Sequence, residues 1–331
     1  MWVRWLESSR ATRRQLAGVR AFGERYRGGV LFAIVALVMG IGYVAIGVGT
    51  ETVPPTVLAA IRFDVSAAVL LAYAFVSGRW RPRTTADVLA IIVLGELVFA
   101  GTIGFLFVGQ QHTTAAIAAI VMGLGPVVTV PIAYLLVPDE RLSRGDVVGV
   151  FLGFCGVTIV ANPSPAEAAM GADMGVVFVC CAVLSSSLGG VLLSRLETEL
   201  SPLSLTGWGA LLGGTTLHLV CVVLGEPIST VSWTPASLVA LVYLAVVVGV
   251  GGYAVLLVLL AEIGPTRSSL TSYASPIVAI GASWLLVGEI VTVTTLAGLL
   301  VVAGGFAMSN WSTFAHALDR FGQPSRQSRG E

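Results

Sequence analysis

The stretch from Thr114 to Gly156, TAAIAAIVMGLGPVVTVPIAYLLVPDERLSRGDVVGVFLGFCG, returns in altered form from Thr266 to Gly305 as TRSSLTSYASPIVAIGASWLLVGEIVTVTTLAGLLVVAGG. Pro126 and Pro276 correspond at an offset of 150 residues, while Glu140 with Glu289, Gly149 with Gly298, and Gly156 with Gly305 correspond at 149, so one residue was gained or lost between the copies. Self-similarity at this distance marks a duplicated unit.

Working outward, apolar runs of roughly 17–25 residues, the length that spans hydrocarbon, recur along the chain. They are predicted at 30–48, 56–77, 87–108, 114–137, 145–161, 174–193, 203–224, 238–260, 267–287 and 292–310. The expected fold is an all-α membrane protein of ten transmembrane helices. Its units are an N-terminal tail (1–29), a first five-helix repeat (30–161), a linker (162–173), a second repeat (174–310) and a C-terminal tail (311–331). Because five is odd, the second copy starts on the opposite side of the membrane, so the two repeats are expected to be inverted about an axis in the membrane plane, a design suited to alternating access.

Composition agrees with a membrane class. Of 331 residues, 56% are hydrophobic and 11% charged, and the mean hydropathy is +0.92, far from the balance of a soluble domain. The formal net charge is zero, so no field draws in nucleic acid. Every basic residue is Arg, and without Lys no phosphate-binding GxxxxGK[ST] loop exists to drive transport with ATP. Cys155, Cys180, Cys181 and Cys221 lie in apolar runs with no metal-ligand spacing and read as small hydrophobes. No cofactor and no metal are expected.

Arg placement predicts orientation. Arg4, Arg10, Arg13, Arg14, Arg20, Arg25 and Arg27 precede the first span; Arg79, Arg81 and Arg83 follow the second; Arg141 and Arg144 the fourth; Arg195 the sixth; Arg267 the eighth; and Arg320, Arg326 and Arg329 the tenth. All fall on one predicted side, and the positive-inside rule puts both termini in the cytoplasm of a multi-pass cell-membrane protein. The N-terminal tail, with Trp2, Trp5 and Leu6 among its Arg residues, reads as solvated and partly disordered, or as a strip lying on an anionic lipid surface.

Pro126 and Pro276 fall near the middle of the fourth and ninth spans, where a missing N–H weakens a helix, and matched helix breaks point to a midplane site. A central Pro, an acidic residue at the helix end (P-x13-E, then P-x12-E) and a Gly-punctuated helix (Gly145, Gly149, Gly153, Gly156; Gly298, Gly304, Gly305) recur in order. That order resembles the EamA-type domain of the drug/metabolite transporter superfamily, and Leu58 to Asp64, LAAIRFD, is similar to that domain's second helix, with Arg62 in the position where an Arg is typical. The second copy has Trp208 and Gly209 near the equivalent point and no Arg. The resemblance implies a basket of helices around a cavity open to one side at a time, and a secondary transporter of a small metabolite, amino acid or drug-like solute.

Ionisable groups inside the spans are the candidate site residues, since each is expensive in hydrocarbon and needs a partner, water or a function. Glu96, near mid-depth of the third span, is a candidate for proton or cation exchange, or a partner of Arg62. Arg62 itself is a candidate for a substrate carboxylate or a helix tie; Asp64, two residues on, faces elsewhere and needs its own partner. His218, Tyr43, Tyr253, Tyr273 and Trp284 are candidates to line a cavity, against packing or an interfacial belt. Ser185, Ser186 and Ser187 lack His and Asp nearby and read as hydrogen-bonding within the sixth helix. The partners expected are a solute, membrane lipid and a coupling proton or sodium ion. An intramembrane enzyme on lipid-linked substrates or a non-transporting receptor are the competing classes; an enzyme needs several His, Asp or Glu at one depth, and these are scattered.

Overall fold

In a computed structural model, the protein is described over residues 10–78, 80–136, 144–161, 174–226, 231–263, 268, 270–290 and 292–309. Glu140, the loop residues Arg79, Arg141 and Arg267, Trp2 and Trp5, the linker 162–173 and the tail 311–331 lie outside the described residues. Within them the chain is helical, with no strand.

Among the described residues, seven helices are long and apolar enough to cross a membrane. They are the Arg27–Thr50 part of α1 (Arg10–Thr50), α2 (Pro55–Val76), α3 (Thr85–Gly109), α4 (Ala115–Leu136), α6 (Met174–Leu193), α7 (Pro202–Leu224) and α8 (Pro235–Ile263). Three shorter apolar helices are α5 (Arg144–Ala161), α9 (Thr271–Val287) and α10 (Val293–Ser309). The backbone of α1 is already helical at Arg10, so the expected tail boundary at residue 29 is not a break in the helix.

Local chemistry sets the starts. Pro55, Pro202 and Pro235 occupy first helical positions, where a missing N–H costs nothing. The hydroxyls of Thr84, Thr114, Ser201 and Thr234 accept from backbone N–H groups one turn in, satisfying donors that no helix can satisfy itself. Gly225 (φ 68°) and Gly288 (φ 71°) end α7 and α9 in left-handed backbone that a side chain would strain.

Glycine faces let the helices close. A Cβ built on Gly305 would meet the Gly149 carbonyl at 2.7 Å, and one on Gly298 the Gly156 carbonyl at 2.9 Å, so α5 and α10 touch backbone to backbone. Gly213 packs the same way on Gly95 of α3 and Gly214 on Phe63 of α2. Close packing is what small residues at four-residue spacing are for in apolar surroundings. Large apolar side chains such as Phe151, Phe154, Val223 and Leu285 face outward, as a lipid-solvated perimeter requires.

The pairing of helices has a pattern. The central part of α3 packs on α6 and α7, and that of α8 on α1 and α2; α4 packs on α6, and α9 on α1. The closest pairs are α2 with α7 and α5 with α10.

Of the matched breaks expected at the two prolines, an interruption is present beside Pro126 and the one at Pro276 is corrected. In α4 the helix turns at Gly123 and Leu124, between Ala115–Met122 and Gly125–Leu136, and Pro126 sits in the first turn of the second piece. Pro276 lies inside the continuous piece Thr271–Ala282. Its ring removes the donor for the carbonyl four residues back, that of Ser272. That carbonyl faces the turn in α4, 3.4 Å from where a Cβ on Gly123 would sit.

Candidate functional site

Inside α3 and α8 the helix widens to π geometry over Val93–Gly101 and Tyr243–Gly252. A π segment misaligns carbonyls from their usual donors and is frequent at functional sites. Each segment hands a carbonyl to a serine of another helix: Ser185 Oγ of α6 donates to the Leu97 carbonyl at 2.7 Å, and Ser66 Oγ of α2 to the Ala245 carbonyl at 2.8 Å. Ser187 likewise reaches the Gly125 carbonyl of α4 at 3.2 Å, so of the three serines only Ser186 bonds within its own helix. No sequence signal announced the π segments.

Arg62 leaves α2 between these segments and is 2% exposed. Its guanidinium carbon lies 4.7 Å from the centroid of the Phe63 ring and 5.5 Å from that of Phe107. Phe63 packs on Phe99 at 5.0 Å, and Phe99 meets Tyr253 of α8 edge-on at 5.9 Å, so an aromatic shelf from α2, α3 and α8 surrounds the cation. Among the described residues Arg62 has no carboxylate partner, and its buried Nε meets no acceptor. Pairing with Glu96 does not occur. Glu96, half-buried inside the π segment, accepts from Thr216 Oγ1 of α7 at 2.8 Å.

The other expected site residues separate from this cluster. Asp64 finds the partner it needed in His218 of α7, at 2.7 Å, and both side chains are partly exposed on the flank of the α2–α7 contact. Tyr43 is half-buried and its carbonyl accepts from Gln110 Nε2 at 3.2 Å. Trp284 is corrected as a cavity-lining residue: it is 62% exposed on α9, beside the similarly exposed Leu285 and Leu286.

Sequence reasoning passed over Asp87, which is fully buried at the start of α3. Its carboxylate accepts from the backbone N–H groups of Arg83, Thr84, Glu199 and Leu200 and from Thr198 Oγ1. A signal was there to read, since Thr84-x-x-Asp87 before an apolar run is a capping-box pattern. At the same end Trp80 stacks on Trp208, Arg81 lies over Trp80, and Arg27 pairs with Glu262 at 2.9 Å. An apolar cleft of about 680 Å³ opens there between α2, α7 and α8, lined by Tyr73, Leu203, Leu257 and Glu262 among others.

Comparison with known proteins follows the same outline. The model of the EamA-like transporter family matches twice, at residues 27–162 and 173–311. A Bacillus subtilis protein named as the uncharacterized transporter YyaM is 27% identical over 76% of this chain and 83% of its own. A probable amino-acid metabolite efflux pump of Salmonella typhimurium is 26% identical over 84% of this chain and 92% of its own. The Escherichia coli K12 inner membrane transporter YedA is 24% identical over 79% and 83%. One solved crystal structure shares the fold with a TM-score of 0.58 at 21% identity, over 86% of this chain and 98% of its own.

Proposed function

Because the chain belongs to the EamA-like transporter family, we propose that it is a secondary carrier that exports a small solute bearing an anionic group, an amino acid or a related metabolite, by alternating access. Ten spans in two inverted five-helix repeats are part of this reading. It is supported by two family matches on one chain and by the exchange of helix partners. A two-fold axis relating α1–α5 to α6–α10 turns the α3–α6 contact into α8–α1, α3–α7 into α8–α2 and α4–α6 into α9–α1, and maps α2–α7 and α5–α10 onto themselves; all these contacts are present. The shorter α5, α9 and α10 then complete the bundle, with the Arg-bearing end in the cytoplasm.

Arg62 is the observation that carries the solute class. A charged side chain within a membrane span costs up to about 2.5–3.5 kcal/mol by insertion scales, and a desolvated cation over a ring recovers about 2 kcal/mol. A planar guanidinium with free donors in an aromatic shelf is suited to bidentate capture of a carboxylate. The named activity of the Salmonella relative fits a substrate with that group. In this reading proton exchange falls to Glu96, which accepts from Thr216 of α7 and lies in a π segment of α3.

Solute flux in proteoliposomes tests this. Wild type is expected to move amino acids down an imposed gradient, Arg62→Met to lose at least about tenfold of the rate, which is about 1.4 kcal/mol, and Arg62→Lys to recover part of it. Wild-type flux in Arg62→Met removes the anion-binding role. Glu96→Gln is expected to transport without responding to an imposed pH gradient; a retained response removes proton exchange at Glu96.

A further inference from the structure

At the end of the bundle remote from the Arg27–Glu262 pair, a second, smaller cavity of about 130 Å³ lies where α1 ends, α3 ends, α4 begins and α9 ends. Gln110, Thr113, Glu51 and Glu289 supply its polar lining. We infer that this cavity is a binding site for a compact monovalent cation, held by the side-chain oxygens of Glu289, Gln110 and Thr113.

Three buried oxygens there have no hydrogen-bond partner among the described residues: Glu289 Oε2, Gln110 Oε1 and Thr113 Oγ1. Gln110 is 7% exposed, and its Nε2 donates to the Tyr43 carbonyl at 3.2 Å. That bond fixes the amide, because the flipped orientation would set oxygen against oxygen. Glu289 is fixed as well. Gly288 turns the chain in left-handed backbone, the Glu289 N–H donates to the Ser283 carbonyl at 3.2 Å, and Oε1 accepts from the Ala115 N–H at 3.4 Å. One carboxylate oxygen therefore caps α4 while the other is left for something else.

Each orphaned buried acceptor costs roughly 1–3 kcal/mol, so a single species serving all three is strongly favoured. A proton on Glu289 Oε2 supplies one donor and so serves at most one of the other two oxygens, whereas a cation can be coordinated by all three. A hard cation is coordinated by carboxylate, amide and hydroxyl oxygens alike. One carboxylate with two neutral oxygens balances a single charge, whereas Ca²⁺ takes about 6–8 oxygens with several carboxylates among them. The half-charge at the start of α4, about +0.5, is already met by Oε1. Glu51, exposed at the mouth, adds attraction from solvent. With about 30 Å³ per water, the cavity has room for an ion and a few waters. A cation seated there ties α9 to the start of α4 and to α3, so it favours the state in which this end is shut.

Sodium ion and an alkylammonium group share this chemistry, and purified protein distinguishes them. The midpoint of thermal unfolding is measured against NaCl, methylammonium chloride or choline chloride at constant ionic strength. A saturable rise with Na⁺ over choline is expected, as binding to the folded state alone dictates. Glu289→Gln should abolish it, and Thr113→Val should weaken the apparent affinity about tenfold, a loss of about 1.4 kcal/mol. A rise with methylammonium alone keeps the site and assigns it to an ammonium group. Identical midpoints in all three salts, or a wild-type rise retained in both variants, overturns the proposal and leaves a water-filled pocket. Thr113→Val decides the matter if Glu289→Gln does not fold. The readout is binding, so loss of solute flux would not be mistaken for loss of this site.

Discussion

Helices α3 and α8 are two renderings of one design. Capping boxes at Thr84 and Thr234 stand 150 residues apart, the π segments begin at Val93 and Tyr243 at the same offset, and each segment passes a carbonyl to a serine on another helix. Charge is not repeated. Where α3 has Asp87 and Glu96, α8 has Ser237 and Val246. Backbone geometry has thus survived in both copies while Asp87 and Glu96 have no ionisable counterpart in α8.

The largest expected difference between the copies is at their caps. Asp87 serves five donors on two segments of chain, whereas Ser237 Oγ accepts from the N–H and the hydroxyl of Thr234, both within its own box. Asn in place of Asp87 would aim an NH₂ at N–H donors on one side or the other. Asp87→Asn is expected to cost about 3 kcal/mol or more, since each charged hydrogen bond is worth about 1.5–3 kcal/mol. Ser237→Ala should cost only about 1 kcal/mol, the worth of a cap. Denaturant or thermal unfolding in one detergent measures both, and equal losses would break the proposed asymmetry.

Next in size are substitutions at the π segments, where the copies should behave alike. A Cβ on Gly101 would collide with Ser185 Oγ, and one on Gly249 with Ser66 Oγ. Overpacking costs about 1–3 kcal/mol, against about 1 kcal/mol gained from Gly to Ala in a helix. Gly101→Ala and Gly249→Ala should therefore each destabilise by up to about 2 kcal/mol. Gly190→Ala, with nothing within 4 Å of the added carbon, should be neutral or stabilising. A tolerated Gly101→Ala beside a damaging Gly249→Ala would mean that only one segment is held tightly.

The legible parts of this molecule are those governed by local, additive physics. Apolar length marked the helices, and the repeated Gly-punctuated pattern marked α5 and α10 as a matched pair. Arg62 and Glu96 stood out because charge in hydrocarbon is costly wherever it falls. Their partners were not legible. Which face a side chain takes depends on the helix being α, π or broken, and Glu96 sits inside a π segment that composition does not encode. Asp64 with His218 and Arg62 with Phe107 are contacts between distant segments, set by the antiparallel register of α2 on α7 and the crossing of α3. The two prolines differ for a related reason. Pro126 sits in the first turn after an interruption at Gly123 and Leu124, whereas Pro276 needs only an α4 turn facing its orphaned carbonyl and does not break the helix that holds it.

The smallest expected effect is also the sharpest test of whether the two π segments are held in the same way. Ser66→Ala and Ser185→Ala each remove one interhelical hydrogen bond, worth about 0.6 kcal/mol on average between membrane helices. Ser185→Ala should fall below that, because the Leu97 carbonyl still accepts from the Thr102 N–H and from Thr102 Oγ1 at 2.9 Å. The hydroxyl that makes each bond is also the atom that an alanine at the facing glycine would strike. Deleting it should open the space, since the serine Cβ lies 3.4 Å away from the added carbon in both copies. The pairs Gly249→Ala with Ser66→Ala and Gly101→Ala with Ser185→Ala should therefore be more stable than the sum of their single changes, by about 1 kcal/mol. Favourable coupling in both cycles means that each serine stands wedged against a widened helix of the other half. Additivity in either cycle means that there the glycine serves the helix geometry itself, and the hydroxyl is a bystander.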